Sequence, residues 1–219
     1  IQSMLELKNK AEQNQIALIG SSLDDGQLIS NLNYYLTHAM ADKITLHGVF
    51  IEVMGMGVLL SGDSAVGKSE LALALISRGH RLIADDATEF ARVAPDMISG
   101  SCPPLLQDLL EVRGLGILNI RSMYGDNAVL RKKNLHLIVH LKEMNETELA
   151  GMDRLNGSRS SRKILSISVP QITIPIAQGR NLAILVEAAV QNHALRLKGY
   201  DASKDFSERQ QQAIRNQDS

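Results

Sequence analysis

Residues 62–69 read Gly-Asp-Ser-Ala-Val-Gly-Lys-Ser, a G-x-x-x-x-G-K-[ST] pattern that lies between an aliphatic run ending at Leu60 and a helical pattern starting at Ser69. No other stretch restricts the fold as strongly, because the pattern works only as a strand, a tight loop and a helix in succession. Its glycines let the backbone curl so that successive N–H groups face a β-phosphate, and the positive end of the following helix adds to them. Lys68 is then placed to reach the β- and γ-phosphates, and the Ser69 hydroxyl to ligate Mg²⁺.

The rest of the chain supplies elements for such a core. Leu28, Ile29, Leu32, Tyr35, Leu36, Ala39 and Met40 recur at helical spacing and predict a lead-in helix over Gln27–Lys43. The aliphatic segment 44–60 predicts two strands with a tight turn near Gly55–Gly57. A buried helix over Ser69–Ser77 stops at Gly79 and is followed by a strand at Arg81–Ala84. Further short strands are expected at Glu89–Val93, Asp96–Ser99, Ile117–Ile120, Leu135–Leu141 and Ile164–Ile174, and a long helix at Asn181–Leu197. Residues 1–25 read as polar and irregular, 151–163 as a mobile basic loop, and the last twenty as a polar periphery.

Composition narrows the partners. With 219 residues, 44% hydrophobic and 3% aromatic, the chain can bury one sizeable aliphatic core. Its 23 basic and 24 acidic residues create no global field for nucleic acid or anionic lipid. No apolar run approaches the roughly 20 residues that span a bilayer, and the lone Cys102 fits a reducing cytoplasm. A chain that opens at Ile rather than Met is expected to be cut from something longer.

A phosphate loop needs acidic partners, and the strand Arg81–Ala84 ends in Asp85-Asp86, where one carboxylate could assist the metal and the other act as base toward a hydroxyl; a solvated turn is the plain alternative. Glu111-Val112-Arg113-Gly114-Leu115-Gly116 sets a carboxylate and a guanidinium beside glycines, suiting a metal ligand and a phosphate partner or, equally, a structural salt bridge. Arg154 could neutralise a transferring phosphoryl group or simply keep a loop in solution. His47 precedes Gly48 on a strand, where a structural histidine is the ordinary case. His136 and His140 share a strand face but lack a third ligand for zinc. No Asn-Lys-x-Asp element for reading guanine is present. Phosphoryl transfer to a hydroxyl therefore ranks above a small-molecule or carboxykinase-like enzyme on the same core, and above a non-catalytic ATP-binding module.

His47-Gly48, Gly62–Ser69, Ala84-Asp85-Asp86, Glu111–Gly116 and the stretch 169–181 together resemble HPr kinase/phosphorylase, in order and with similar spacing from about residue 26 to residue 206. The resemblance implies an α/β fold, a P-loop core like that of phosphoenolpyruvate carboxykinase with a mixed sheet and flanking helices. It implies a cytoplasmic, homohexameric enzyme that uses ATP and Mg²⁺ to phosphorylate a serine of the phosphocarrier HPr. The same enzyme would remove that phosphate with inorganic phosphate, giving pyrophosphate. Neither nucleic acid nor membrane is an expected partner.

Carried over residue by residue, the resemblance makes Gly62, Asp63, Ser64, Ala65, Val66, Gly67, Lys68 and Ser69 the nucleotide loop. It makes His47, Lys68, Asp86 and Arg154 catalytic, with Asp86 as proton acceptor in the kinase direction. By the same resemblance Ser69 and Glu111 would hold Mg²⁺, and the place of the acidic pair at the end of a strand adds Asp85. Glu111, Arg113, Gly114 and Gly116 lie in the segment for both reactions, and Pro175, Gly179 and Arg180 in the loop for dephosphorylation. Ala65 departs from the family's usual glycine. Residues 1–25 are then a linker or the remnant of an upstream domain, 26–206 the catalytic domain and 207–219 a polar tail.

Overall fold

The computed structural model describes residues 2–153, 157–177 and 179–217. It divides into two compact units, one ending at Ala41 and one beginning at Asp42. The first holds α1 (Gln2–Gln13) and α2 (Asp25–Ala39). Helix α1 replaces the irregular stretch expected there. Its sequence has neither glycine nor proline, spaces Glu6 four residues before Lys10 and sets Met4, Leu7 and Ala11 at helical spacing, all of which favour a helix. Asp24 caps α2, its Oδ1 accepting from the Gln27 N–H at 2.9 Å.

In the second unit, the segment expected as two strands forms three: β1 (Lys43–His47), β2 (Val49–Val53) and β3 (Met56–Gly62). The break falls at Gly48, where φ is +142° and a Cβ would lie 2.5 Å from the Leu60 carbonyl oxygen. Only glycine lets the chain pivot so close to β3. β2 and β3 form a two-residue hairpin through Met54 and Gly55, both at positive φ. β1 instead pairs with β5 (Ala87–Ala94).

The order continues with α3 (Lys68–Ser77), β4 (Arg81–Ala84), β5, β6 (Met97–Ser101), β7 (Leu109–Val112), β8 (Gly116–Asn119), α4 (Ile120–Tyr124) and β9 (Lys132–Glu143). It ends with α5 (Glu146–Ala150), β10 (Ser158–Ile164), β11 (Ile167–Ile176), α6 (Leu182–Leu197) and α7 (Ala202–Gln217). One expectation fails in this half. Much of the basic loop is strand β10, paired antiparallel with β11 through a turn at Leu165 and Ser166. Its side chains are largely exposed, so burial left no apolar alternation to read. The polar tail is mostly helix α7, whose charged residues suit the exterior and whose Arg209 pairs with Asp205 one turn back at 2.8 Å.

Nine strands among the described residues make one mixed sheet, with β9 at its hub, parallel to β3 and β11 and antiparallel to β6. Both faces of the central strands are covered. Val58 and Leu60 of β3 and Leu137, Val139 and Leu141 of β9 face α3 and α6, while Leu59 and Ile138 pack with Phe50 and Phe90 on the other side. Two-sided burial is why these strands read as continuous apolar runs.

Candidate active site

β3 delivers the phosphate loop at the edge of the core. At Gly62, φ is +144° and a Cβ would lie 2.5 Å from the Leu141 carbonyl oxygen of the neighbouring strand, so no side chain fits there. Gly67, at φ +89°, caps α3 without a side chain. Lys68 reaches back over the loop, its Nζ donating to the carbonyls of Gly62 at 3.0 Å and Asp63 at 2.7 Å. Ala65 also adopts a positive φ, +66°. An L-residue is strained in that region, which explains why glycine is the easier residue at this point.

β4 ends at Ala84, and the next two residues turn into the same space. Asp86 takes φ +58°, a region that aspartate tolerates better than most side chains. Its main chain is held there, since its carbonyl accepts from the Gly48 N–H at 3.3 Å and the Asp85 carbonyl accepts from the Ala87 N–H at 2.7 Å. His47 Nδ1 stands 3.4 Å from Asp86 Oδ1, with both side chains open to solvent. The pivot at Gly48 is what brings the histidine to the aspartate.

Asp85 points the other way. Its Oδ2 accepts from the Glu111 N–H at 2.8 Å and ties the end of β4 to the β7–β8 hairpin. Burial pushes the Asp85 carboxyl above its ordinary value; the Glu111 N–H opposes that push, and the charges of Asp86 and Glu111 add to it. On the hairpin, Glu111 lies opposite Ile117 and Val112 opposite Gly116, with Arg113, Gly114 and Leu115 at the turn. Leu110, Val112 and Leu118 pack into the core below, which leaves Glu111 and Arg113 on the cleft side. Arg121 braces the hairpin's base through Asp108 at 2.7 Å and through Asp126.

These segments enclose a cleft of about 270 Å³ lined by Ser64, Lys68, Ser69, Asp85, Asp86, Glu111 and Arg113 among others. Glu70, in the first turn of α3, also lines it and was not singled out from the sequence; its place two residues after Lys68 was the available signal. Not all expected residues join. Pro175 and Arg180 line a separate hollow of about 660 Å³ between β11, α5 and α6, together with Arg159 and Asn192. Arg154 lies outside the described residues. His136 and His140 are engaged apart from one another, His136 Nδ1 accepting from the Gly57 N–H at 3.1 Å and His140 Nδ1 lying 3.2 Å from Ser61 Oγ. Burial and the charges of Asp108, Asp85 and Glu89 push the Cys102 thiol up to about 11, which removes it as a nucleophile.

A family profile described as HPr Serine kinase C-terminal domain matches residues 38–210. The chain belongs to that family. It is 52% identical over 202 residues to HPr kinase/phosphorylase of Xanthomonas euvesicatoria, covering 92% of this chain and 64% of the relative. It is 49% identical over 212 residues to the protein of the same name from Chromobacterium violaceum, covering 97% of this chain and 67% of that one. The chain therefore spans about two thirds of the length of these curated relatives. Among solved structures, the HPr(Ser) kinase/phosphatase of Coxiella burnetii shares 37% identity with a TM-score of 0.65, over 74% of this chain and 98% of that one. The mixed α/β architecture with flanking helices is thus the family's own.

Proposed function

We propose that the chain is the catalytic part of a bifunctional enzyme that phosphorylates a serine of HPr with ATP and removes the phosphate by phosphorolysis. One observation carries this reading: the phosphate loop, the Asp85-Asp86 pair and the Glu111–Arg113 hairpin, distant in sequence, line one cleft. A nucleotide-binding module without chemistry needs the first of these and not the others. The names of the relatives supply HPr as the acceptor.

In the kinase direction, the loop N–H groups and Lys68 hold the phosphates. Lys68 then trades its contacts with the Gly62 and Asp63 carbonyls for phosphate oxygens. Asp86 accepts the proton of the serine hydroxyl at its carboxylate, and His47, 3.4 Å away, orients that carboxylate. In the reverse direction inorganic phosphate attacks the phosphorus of phosphoserine, the bond to the serine oxygen breaks, that oxygen takes the proton back from the same carboxyl group, and pyrophosphate is the product. Holding the donor and acceptor oxygens in line favours neither direction by itself, so reactant levels decide. Arg113 faces the phosphates from the hairpin, and Arg154 is assigned to the charge of the transferring group.

The donor set fits Mg²⁺. Ser69, Glu111 and Asp85 offer only oxygen, and among the described residues no three His, Cys, Asp or Glu side chains converge as a preformed cage. That arrangement suits an ion which keeps waters and shares the substrate's phosphates. When bound, Mg²⁺ supplies charge neutralisation across the transferring group. Pro175, Gly179 and Arg180 are assigned to dephosphorylation, Pro175 and Arg180 from their separate hollow, in an assembly proposed to be a cytoplasmic homohexamer.

The decisive experiment incubates the chain with MgATP and HPr, follows phosphoserine, then adds inorganic phosphate and assays pyrophosphate. Both products are expected. Transfer to a metabolite with none to HPr would instead indicate a small-molecule kinase, and nucleotide binding with neither product would indicate a non-catalytic module. Arg180→Ala is expected to slow pyrophosphate release more than phosphoserine formation.

A further inference from the structure

α3 and α6 lie on the same face of the sheet, and each leads away from a loop assigned to the chemistry. α3 follows the phosphate loop, and α6 follows Gly179 and Arg180. The strands that feed them, β3 and β11, both run parallel to β9, and the helices pack back over them through Leu71, Leu75, Val186 and Val190. Such an apolar seam resists separation, but it permits sliding, because dispersion contacts have little directional preference.

One polar contact adds direction. The far end of α3 closes as a Schellman motif: the Gly79 N–H donates to the Ile76 carbonyl at 2.9 Å and the His80 N–H to the Leu75 carbonyl at 3.1 Å, with Gly79 at φ +93°. That geometry turns Arg78 and His80, on either side of the glycine, toward one carboxylate. Glu187 of α6 receives Arg78 Nε and Nη2 as a fork, each at 2.7 Å, and His80 Nε2 at 2.9 Å. The carboxylate is 13% exposed and His80 10%, while Arg78 covers the pair from the solvent side. Three directed bonds on a largely buried anion fix a distance and an angle that the apolar seam leaves soft. His80 also immediately precedes β4, the strand that ends at Asp85 and Asp86.

We propose that Glu187 is a positioning residue, whose clasp on Arg78 and His80 sets where α6, and with it Arg180, stands relative to α3 and the phosphate loop. The proposal rests on reading the cleft as a phosphotransfer site. Loss of the clasp uncouples the two loops without touching a residue of the cleft.

The test compares the unaltered chain with Glu187→Gln and with Arg78→Gln, whose side chain is exposed enough that the fold survives its loss. Phosphoserine formation, pyrophosphate formation and MgATP affinity are measured well below each variant's melting temperature. In Glu187→Gln, pyrophosphate formation is expected to fall about five- to tenfold more than phosphoserine formation, with nucleotide affinity held within about twofold, and Arg78→Gln to change the ratio in the same direction. Equal losses in both directions, as a merely structural role predicts, or no loss, would overturn the proposal. If the unaltered chain transfers phosphate in neither direction, the functional reading fails alone and amide exchange judges the clasp. MgATP is expected to slow exchange at the starts of both α3 and α6 in the unaltered chain, and at α3 only in Glu187→Gln. Protection of α6 that survives in the variant, or that never occurs in the unaltered chain, overturns the proposal.

Discussion

Two carboxylates meet the chain at opposite ends of β4 and behave in opposite ways. Asp85, beyond β4, is half-buried beside Asp86 and Glu111, and its carboxyl is pushed above the ordinary range. Glu187 of α6, bonded to Arg78 and His80 just ahead of β4, is held down to about 2, chiefly by the hydrogen bonds of Arg78, with His80 helping and burial opposing. The clasp satisfies its charge within the fold. The cleft gathers the carboxylates of Glu70, Asp85, Asp86 and Glu111 and four residues at positive φ, Gly48, Ala65, Gly67 and Asp86, so like charges crowd there beside Lys68 and Arg113. Charges are paired at the clasp and crowded in the cleft proposed as the site.

That contrast can be broken most sharply in the cleft. Lys68→Ala and Asp86→Ala are each expected to lower both reaction rates by about 10²- to 10⁴-fold, with the melting temperature nearly unchanged and MgATP binding weakened only in the Lys68 variant. Normal turnover of Asp86→Ala in an HPr phosphorylation assay would sink the assignment of the base.

Asp85→Asn separates stability from activity. An asparagine oxygen can still accept from the Glu111 N–H, while the desolvated charge is gone, so the variant should melt higher than the parent at pH 7 and work more slowly. A lower melting temperature would show that the Asp85 charge is compensated in the fold after all.

Acid titration probes the other end. Glu187 has a folded value of about 2 against an ordinary 4.5, so its stabilisation is complete above pH 4.5 and is lost as pH falls toward 2. Denaturant unfolding across that window should show the parent losing more stability than Glu187→Gln. Parallel pH profiles would place the acid sensitivity elsewhere.

The smallest effect concerns Ala65. Glycine at φ +66° removes the side-chain penalty, and Ala65→Gly is expected to gain about 1 kcal/mol at most, readable as a small rise in denaturant midpoint. A loss would mean that the entropy of the unfolded chain outweighs the strain.

Elements whose signals are local were legible in the chain. The phosphate loop, the Gly79 stop of α3, strand β4 and the helix capped by Asn181 each carry their cause within a few residues. The division of residues 44–60 was not, because Gly48 breaks the strand only on account of the Leu60 carbonyl beside it, a neighbour supplied by the sheet. β10 was hidden because its side chains face outward and its pairing with β11 runs through the main chain, which every residue type shares. In the site, a histidine on a strand is ordinarily structural, the resemblance singles out His47, and the structure supplies its contact with Asp86.

By itself, the sequence determined a strand–loop–helix nucleotide motif, an acidic pair after the next strand and membership in a kinase family, since those depend on residue type and short spacing. Only the tertiary structure decided that Asp85 serves the Glu111 hairpin while Asp86 meets His47, that Arg180 lines a hollow apart from the cleft, and that Glu187 joins the two helices. The reason is physical: hydrogen bonds and burial are set by distance in space, and adjacent aspartates at a strand's end point to different neighbours that no local pattern records.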